Sequence, residues 1–171
     1  MLFRSLVLAG LDFAETAFRE SSSDLAVRRL AADGDAIPAG GAVLEAEGAM
    51  RAILTAERVA LNFVQRLSGV ATAASAYARL MEGTQCRVLD TRKTTPGLRR
   101  LEKQAAHAGG ATNHRHGLFD AVLIKNNHIT AAGSVRAALE KTRNAGVPVE
   151  IEVRTREELD EALQNGEIGR A

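Results

Sequence analysis

The sequence predicts an α/β protein, with a small α+β module at the front and parallel β/α units behind it. Three observations lead there. Short apolar stretches broken by Gly and Pro fill the first fifty residues. Apolar residues at spacings of three and four then take over from Thr55. From residue 86 onward, short β-branched runs alternate with helical patterns, as parallel β/α units require.

The front module is legible chiefly in "DGDAIPAGGAVLEAEG" (33–48), which reads as small β elements joined by turns. One long helix follows, on Ala56, Val59, Ala60, Phe63, Val64, Leu67, Val70, Ala71, Ala74, Tyr77, Ala78 and Met81, with Gly69 the place for a bend. "CRVLD" (86–90) reads as a strand, and "GLRRLEKQAAHAGG" as a helix that carries Leu98, Leu101, Ala105 and Ala108 and stops at a Gly pair. "AVLIK" (121–125) is a second strand. "SVRAALEKTRNAG" is a helix with Ser134 as its N-cap and Gly146 as its stop. "PVEIEV" (148–153) is a third strand, and "TREELDEALQNG" opens with Thr155 and Glu158 at capping-box spacing and ends at Gly166.

Charge narrows the function. The 171 residues carry a net charge of +1, yet residues 87–125 hold eight Lys/Arg against three Asp/Glu. Cations concentrated in one stretch of a nearly neutral chain point to a local anion site rather than a polyanion-binding surface. The aromatics that interleave with cations in nucleic-acid binders are missing. Cys86 is the only cysteine, so no internal disulfide or cysteine-based zinc cluster forms, and the position reads as a small buried hydrophobe in a cytoplasmic protein. The opening apolar run is too short for a membrane span.

The polar residues fall at the ends of the predicted strands. Asp90, Thr91, Arg92 and Lys93 follow the first. Lys125, Asn126, Asn127 and His128 end the second, and Glu150 and Glu152 alternate with Val149, Ile151 and Val153 on the third. Ligands of parallel β/α folds bind at such C-terminal ends, so these residues are expected to form one site. The bland alternative is a set of solvated charges at loop entrances. Arginine forks grip carboxylates or phosphates, and lysines follow moving charge. "NHRHG" (113–117) adds His114 and Arg115 to the set, and Glu152 offers hard oxygen ligation to a divalent cation. Taken singly, His114 and His128 read more readily as structural than as catalytic, and His107, inside a helix, reads as structural.

"ERVALNFVQRLSGVAT" (57–72), "LDTRKTTPGLRRLEK" (89–103), "GGATNHRHGLFDAVLIKNNH" (109–128) and "VEIEV" (149–153) together resemble, in order and spacing, the nicotinate-nucleotide pyrophosphorylase (carboxylating) or quinolinate phosphoribosyltransferase family. The resemblance spans residues 6–166. It implies a partial N-terminal α/β domain (1–52) followed by a truncated open α/β barrel (53–171). The implied reaction joins quinolinate to phosphoribosyl pyrophosphate with Mg2+, giving nicotinate mononucleotide, pyrophosphate and CO2 in NAD biosynthesis. The implied assembly is a cytoplasmic homodimer or higher oligomer with shared active sites, and with neither nucleic acid nor membrane as a partner.

Residue by residue, the resemblance places Arg92, His114 and Arg115 on the quinolinate carboxylates and Arg58 in the partner subunit's pocket. Lys93 and Lys125 would meet the phosphoribosyl group and its pyrophosphate, and Glu152 the ribose and magnesium region. Lys93, Lys125 and Glu152 are thereby the expected catalytic residues. Asn126 departs from the family, which usually has Asp there. The family also continues past "ALQNG" and begins before "RSLVLAG", so a fragment truncated at both ends and inactive alone is expected. Two other readings stay open: a molybdenum-transport-associated protein of the same fold, and a non-catalytic anion-binding remnant.

Overall fold

Gly10 turns the chain into its first helix at φ +97°, where a Cβ would stand 2.8 Å from Leu67 Cδ1. Only glycine meets both demands. The structure, a computed structural model, describes residues 5–165. It separates into two compact units that part between His114 and Arg115.

In the first unit, β1 (Leu6–Val7) pairs antiparallel with β3 (Ala36–Ile37), and β2 (Ala26–Arg29) with β4 (Leu44–Glu47). These are the small β elements predicted from 33–48. Between them, α1 (Leu11–Ser21) buries Leu11, Ala14 and Phe18 at helical spacing. The Asp33 carboxylate accepts from the backbone N–H groups of Gly10 (2.8 Å) and Leu11 (3.1 Å), so donors left over at the start of α1 find a partner.

The long helix α2 (Met50–Leu80) starts five residues before the predicted point and runs unbroken through Gly69. Its buried positions are Ala56, Ala60, Leu67, Ser68 and Ala71. Val59 and Tyr77, counted on the same stripe in the sequence, are exposed. Ser68 and Thr72 stand one turn apart and bond the backbone of β1 and the residues just after it: Ser68 Oγ accepts from Ala9 N (3.0 Å) and Thr72 Oγ1 from Val7 N (2.9 Å). Polar side chains on the helix thus satisfy the strand edge facing them. Helix α3 (Arg99–Ala108) packs on α2, and the approach is tight at Gly109, where a Cβ would lie 2.2 Å from the Ala71 carbonyl oxygen.

"CRVLD" does not form the predicted strand. Leu89 makes a single parallel bridge to Thr112, flanked by Asp90 N–H to Thr112 O (3.1 Å) and Thr112 N–H to Val88 O (2.8 Å). The β-favouring residues are present, but only this short pairing holds them. Cys86 lies in the turn region before that bridge and is exposed, contrary to the expectation from residue type. His107 is in α3, as expected, with Nδ1 3.2 Å from the Ala111 carbonyl oxygen.

In the second unit, β5 (Val122–Ile124) and β6 (Val149–Ile151) are parallel, in the register Val122↔Val149, Leu123↔Glu150 and Ile124↔Ile151. Their crossover is helical, through α4 (Asn126–Ala132) and α5 (Val135–Thr142), and α6 (Arg156–Asn165) follows. Ile124, Ile129, Val135, Ala138 and Ala162 form the core. Ser134 caps α5 as predicted, its hydroxyl accepting from Ala137 N–H at 3.0 Å. Thr155 Oγ1 accepts from Glu158 N–H (3.2 Å), but the Glu158 carboxylate returns to Arg154 N–H (2.7 Å), one residue earlier than a capping box would place it. The predicted stop at Gly166 lies outside the described residues. Asn126, Asn127 and His128 do not end a strand, as their sequence position suggested, but form the first turn of α4. No helix among the described residues is long and apolar enough to cross a membrane.

Candidate active site

In the first unit, the bridge between Leu89 and Thr112 sets two chain segments side by side and parallel, so the residues just beyond each emerge together. Asp90 joins them. Its carboxylate pairs with Lys103 of α3 and accepts from the His114 backbone N–H at 2.7 Å. The Asn113 amide, oriented with its nitrogen toward Asp90, donates to Oδ2 (2.8 Å) and to the Lys103 carbonyl oxygen (2.9 Å). The Lys103 side chain is fully excluded from solvent and that of Asp90 is 9% exposed, so this pair is interior.

From Asp90 the chain makes a tight excursion through Thr91, Arg92, Lys93 and Thr94. The hydroxyl of Thr91 accepts from Lys93 N–H (3.1 Å), and Arg92 O accepts from Thr94 N–H (3.0 Å) and Arg99 Nη2 (3.4 Å). At the far end, Leu98 N–H returns to Thr95 O (3.0 Å) with Pro96 and Gly97 between, Gly97 at φ +79°. That is the chemistry of a type II turn. The buried Glu102 carboxylate takes Thr95 N–H (3.1 Å), Thr95 Oγ1 (2.7 Å) and the Arg66 guanidinium (2.6 Å). Burial pushes the Glu102 carboxyl up, but the bonds from Arg66 and Thr95 outweigh it and hold it below the usual range. Arg92 is half-buried and Lys93 exposed. Among the described residues, neither side chain makes a hydrogen bond or ion pair, and the same holds for Arg58, exposed on α2.

In the second unit, the parallel ends of β5 and β6 bring Lys125 and Glu152 together, with Nζ 3.1 Å from Oε1. Glu152 N–H continues the ladder to Ile124 O at 2.9 Å. Both side chains are about half exposed, 41% and 54%, and a pair that open to water is held weakly. An arriving phosphate can therefore take Lys125 at small cost. His128 is structural: its Nδ1 accepts from the Lys125 backbone N–H (2.9 Å) at the start of α4. Arg115 is buried and donates through Nη1 to Ala121 O (3.1 Å). The loop after it closes on Asp120, which accepts from His116 N–H (2.6 Å) and Gly117 N–H (2.9 Å) and is held below the usual carboxylate range by those bonds.

Among the described residues, no three His, Cys, Asp or Glu side chains gather as a metal cluster. Glu152 is a single hard-oxygen donor already facing Lys125. That donor set fits a magnesium ion brought in by phosphate oxygens, which needs only one or two carboxylates from the protein, and not a metal caged by the protein. The first unit also has an apolar hollow of about 260 Å³ lined by residues that include Leu6, Leu8, Ile37 and Leu61. None of the candidate residues lines it.

The quinolinate phosphoribosyl transferase N-terminal domain matches residues 3–68, and the C-terminal domain of the same family residues 70–168. The chain belongs to the quinolinate phosphoribosyl transferase family. A Bacillus subtilis relative named probable nicotinate-nucleotide pyrophosphorylase [carboxylating] is 48% identical over 137 residues, covering 78% of this chain and 47% of its own length. A Synechocystis relative of the same name is 46% identical over 160 residues, covering 92% of this chain and 54% of its own. Among solved structures, NadC from Streptococcus pyogenes superposes with a TM-score of 0.91 at 40% identity, and the nicotinate-nucleotide pyrophosphorylase from Francisella tularensis with 0.92 at 40%. In each of these two pairs, 96% of this chain covers 60% of the other. The chain thus spans about half the length of the curated relatives it matches. An α/β fold of the quinolinate phosphoribosyl transferase type is the architecture of the described residues.

Sequence reasoning misses three residues of this family member whose side chains bond at the two ends of the cationic loop. Asp90 falls among the polar loop residues with no role of its own, and Glu102 and Lys103 read as part of a helix pattern. A signal exists in the helix register: Glu102 and Lys103 fall beside Leu101, Ala105 and Ala106 rather than on the opposite face.

Proposed function

We propose that the polypeptide containing this chain is a quinolinate phosphoribosyltransferase of NAD biosynthesis. It would join quinolinate to phosphoribosyl pyrophosphate and release pyrophosphate and CO2. One observation carries the reading: Arg92 and Lys93 ride on a loop anchored at both ends, with no counter-anion of their own among the described residues. Cations held in this way are ready for an anionic ligand.

The reading assigns Arg92, His114 and Arg115 to the quinolinate carboxylates, and Lys93 and Lys125 to the phosphoribosyl group and its pyrophosphate. Glu152 takes the ribose and magnesium region, and Arg58 serves the partner subunit of a cytoplasmic homodimer. The domain division at residues 1–52 and 53–171 belongs to the same proposal. The pyridine nitrogen attacks the ribose anomeric carbon as the carbon–oxygen bond to pyrophosphate breaks. The adjacent carboxylate then leaves as CO2, its electron pair passing to the ring carbon, which takes up a proton. Lys93 and Lys125 stabilise negative charge on the departing oxygens, and Arg92 and Arg115 orient the dicarboxylate. Magnesium, when bound, would screen the pyrophosphate charge, with Glu152 as its protein ligand.

The test is direct. The polypeptide that the gene encodes, given quinolinate, phosphoribosyl pyrophosphate and Mg2+, forms nicotinate mononucleotide with equal amounts of pyrophosphate and CO2. Folded protein that forms none under these conditions refutes the assignment.

A further inference from the structure

We infer that Glu102 and Lys103, consecutive residues of α3, are positioning residues that set the binding geometry of Arg92 and Lys93. The inference rests on the functional reading above and extends it to residues that touch no substrate. Lys103 reaches Asp90 at the start of the cationic loop, and Glu102 reaches Thr95 at its end. Only Thr91, Arg92, Lys93 and Thr94 lie between the two anchors.

Each anchor is buried, and each is charged. Lys103 is 1% exposed and Glu102 8%. Apolar side chains would fill such positions without desolvating two ions, and replacement of buried pairs by hydrophobes is often neutral or stabilising. The charged pair supplies what an apolar one lacks, which is direction: a carboxylate that receives two Thr95 donors at 3.1 and 2.7 Å, and an ammonium that fixes the carboxylate under the His114 backbone. The same Asp90 therefore sets the start of the cationic loop and the backbone at His114 together. Arg66 completes the far anchor by bonding both Glu102 (2.6 Å) and the Thr95 hydroxyl (2.7 Å). Side chains at a binding site must be held to fractions of an ångström by neighbours whose own positions are fixed. Two adjacent residues on one rigid helix supply that for a loop whose cations have no protein partner among the described residues.

The experiment uses the polypeptide that the gene encodes, in three forms beside the wild type: Glu102→Ala, Glu102→Gln, and the double variant Asp90→Asn with Lys103→Met. Circular dichroism establishes that each is folded at the assay temperature. Amide hydrogen exchange reads the anchors themselves, and quinolinate Kd by calorimetry, with KM and kcat, reads the consequence. Thr95 N–H exchanges at least tenfold faster in Glu102→Ala, and quinolinate Kd and KM rise at least tenfold in Glu102→Ala and in the double variant. Glu102→Gln keeps an oxygen for Thr95 and stays within about threefold of wild type.

A purely structural role would lower the melting temperature and leave KM in the folded enzyme unchanged. That outcome overturns the inference, as does unchanged exchange at Thr95. Wild-type protein that binds no quinolinate counts instead against the functional reading, and exchange at Thr95 still decides the anchoring.

Discussion

Removing the Asp90–Lys103 pair whole should cost well below the sum of breaking it from each side. The Lys103 side chain is fully excluded from solvent and the Asp90 side chain is 9% exposed. Loss of one member of a buried pair leaves an uncompensated charge, worth about 3–5 kcal/mol. The two single variants differ in what remains. Lys103→Met leaves the Asp90 carboxylate with donors from His114 N–H (2.7 Å) and Asn113 (2.8 Å), so its cost belongs near the lower end, about 3 kcal/mol. Asp90→Asn leaves an ammonium with no anion and offers one carbonyl oxygen to three donors, so about 4 kcal/mol or more is expected. The double variant removes both charges and should fall short of the sum of the singles by at least about 2 kcal/mol. Urea unfolding followed by circular dichroism measures all four corners, with the midpoint shifts read at constant slope. Additive effects within about 0.5 kcal/mol would show that the two side chains do not depend on each other, and the account of Asp90 as a hub would fail.

Other expectations follow from single contacts. Glu102 has a folded-state pKa lowered below its unfolded value, so its contribution is present above the unfolded carboxylate pKa, about 4.3, and is lost as pH falls through the folded value. The urea-midpoint advantage of wild type over Glu102→Gln should therefore shrink on acidification, and an advantage that grew instead would contradict the sign. Gly109→Ala drives a methyl to 2.2 Å from the Ala71 carbonyl oxygen and should lower stability by about 1–3 kcal/mol, whereas Gly69→Ala, in α2 with nothing within 4 Å, should raise it by up to about 1 kcal/mol in the same thermal melts. Arg92→Ala and Arg115→Ala should each weaken quinolinate binding by roughly 2–5 kcal/mol in calorimetric titration, and unchanged binding in both would remove them from the site. If Arg58 serves the neighbouring subunit, mixing inactive Arg58→Ala and Lys125→Ala proteins should restore part of the activity, because each mixed dimer holds one site free of both changes.

The periodic elements are legible in the sequence, and the partner-dependent ones are hidden. Helices α2, α3, α5 and α6 stand out because long apolar stripes at spacings of three and four match a helix and cannot match the two-residue period of a strand, and Ser134 stands where a cap is needed. By contrast, α1 dilutes its core face with Ala14 between Leu11 and Phe18, and α4 has only seven residues that open on Asn126, Asn127 and His128, a string that looks like a loop. "CRVLD" has strand composition, yet strand formation depends on a neighbour, and the neighbour here is essentially Thr112. Cys86 is exposed although residue type alone argues for burial. The resemblance suggests roles for Arg92, Lys93, His114, Arg115, Lys125 and Glu152, and gives none to the buried Glu102 and Lys103. Ionisable groups are buried only with partners, and those partners lie 7 and 13 residues away in sequence.

One geometric rule places the polar residues in both units. When two segments run parallel, their C-terminal ends emerge on the same side, so residues distant in sequence meet just past the pairing. An antiparallel hairpin would instead bring the end of one segment against the start of the other. In the first unit the rule joins Asp90 to the His114 backbone, 24 residues apart, and in the second it joins Lys125 to Glu152. The two meetings differ in burial, and burial decides their roles. Asp90 is interior, tied to Lys103 and to backbone donors, and exchanging any of these for water would cost several kcal/mol. Lys125 and Glu152 are half exposed and trade partners cheaply. A contact that cannot be traded is suited to fixing geometry, and one that can is suited to receiving an anion. On that argument, substitutions at Asp90 lower stability and, in protein that stays folded, also loosen the loop geometry on which binding depends. Those at Lys125 should leave the fold intact and act on binding and turnover.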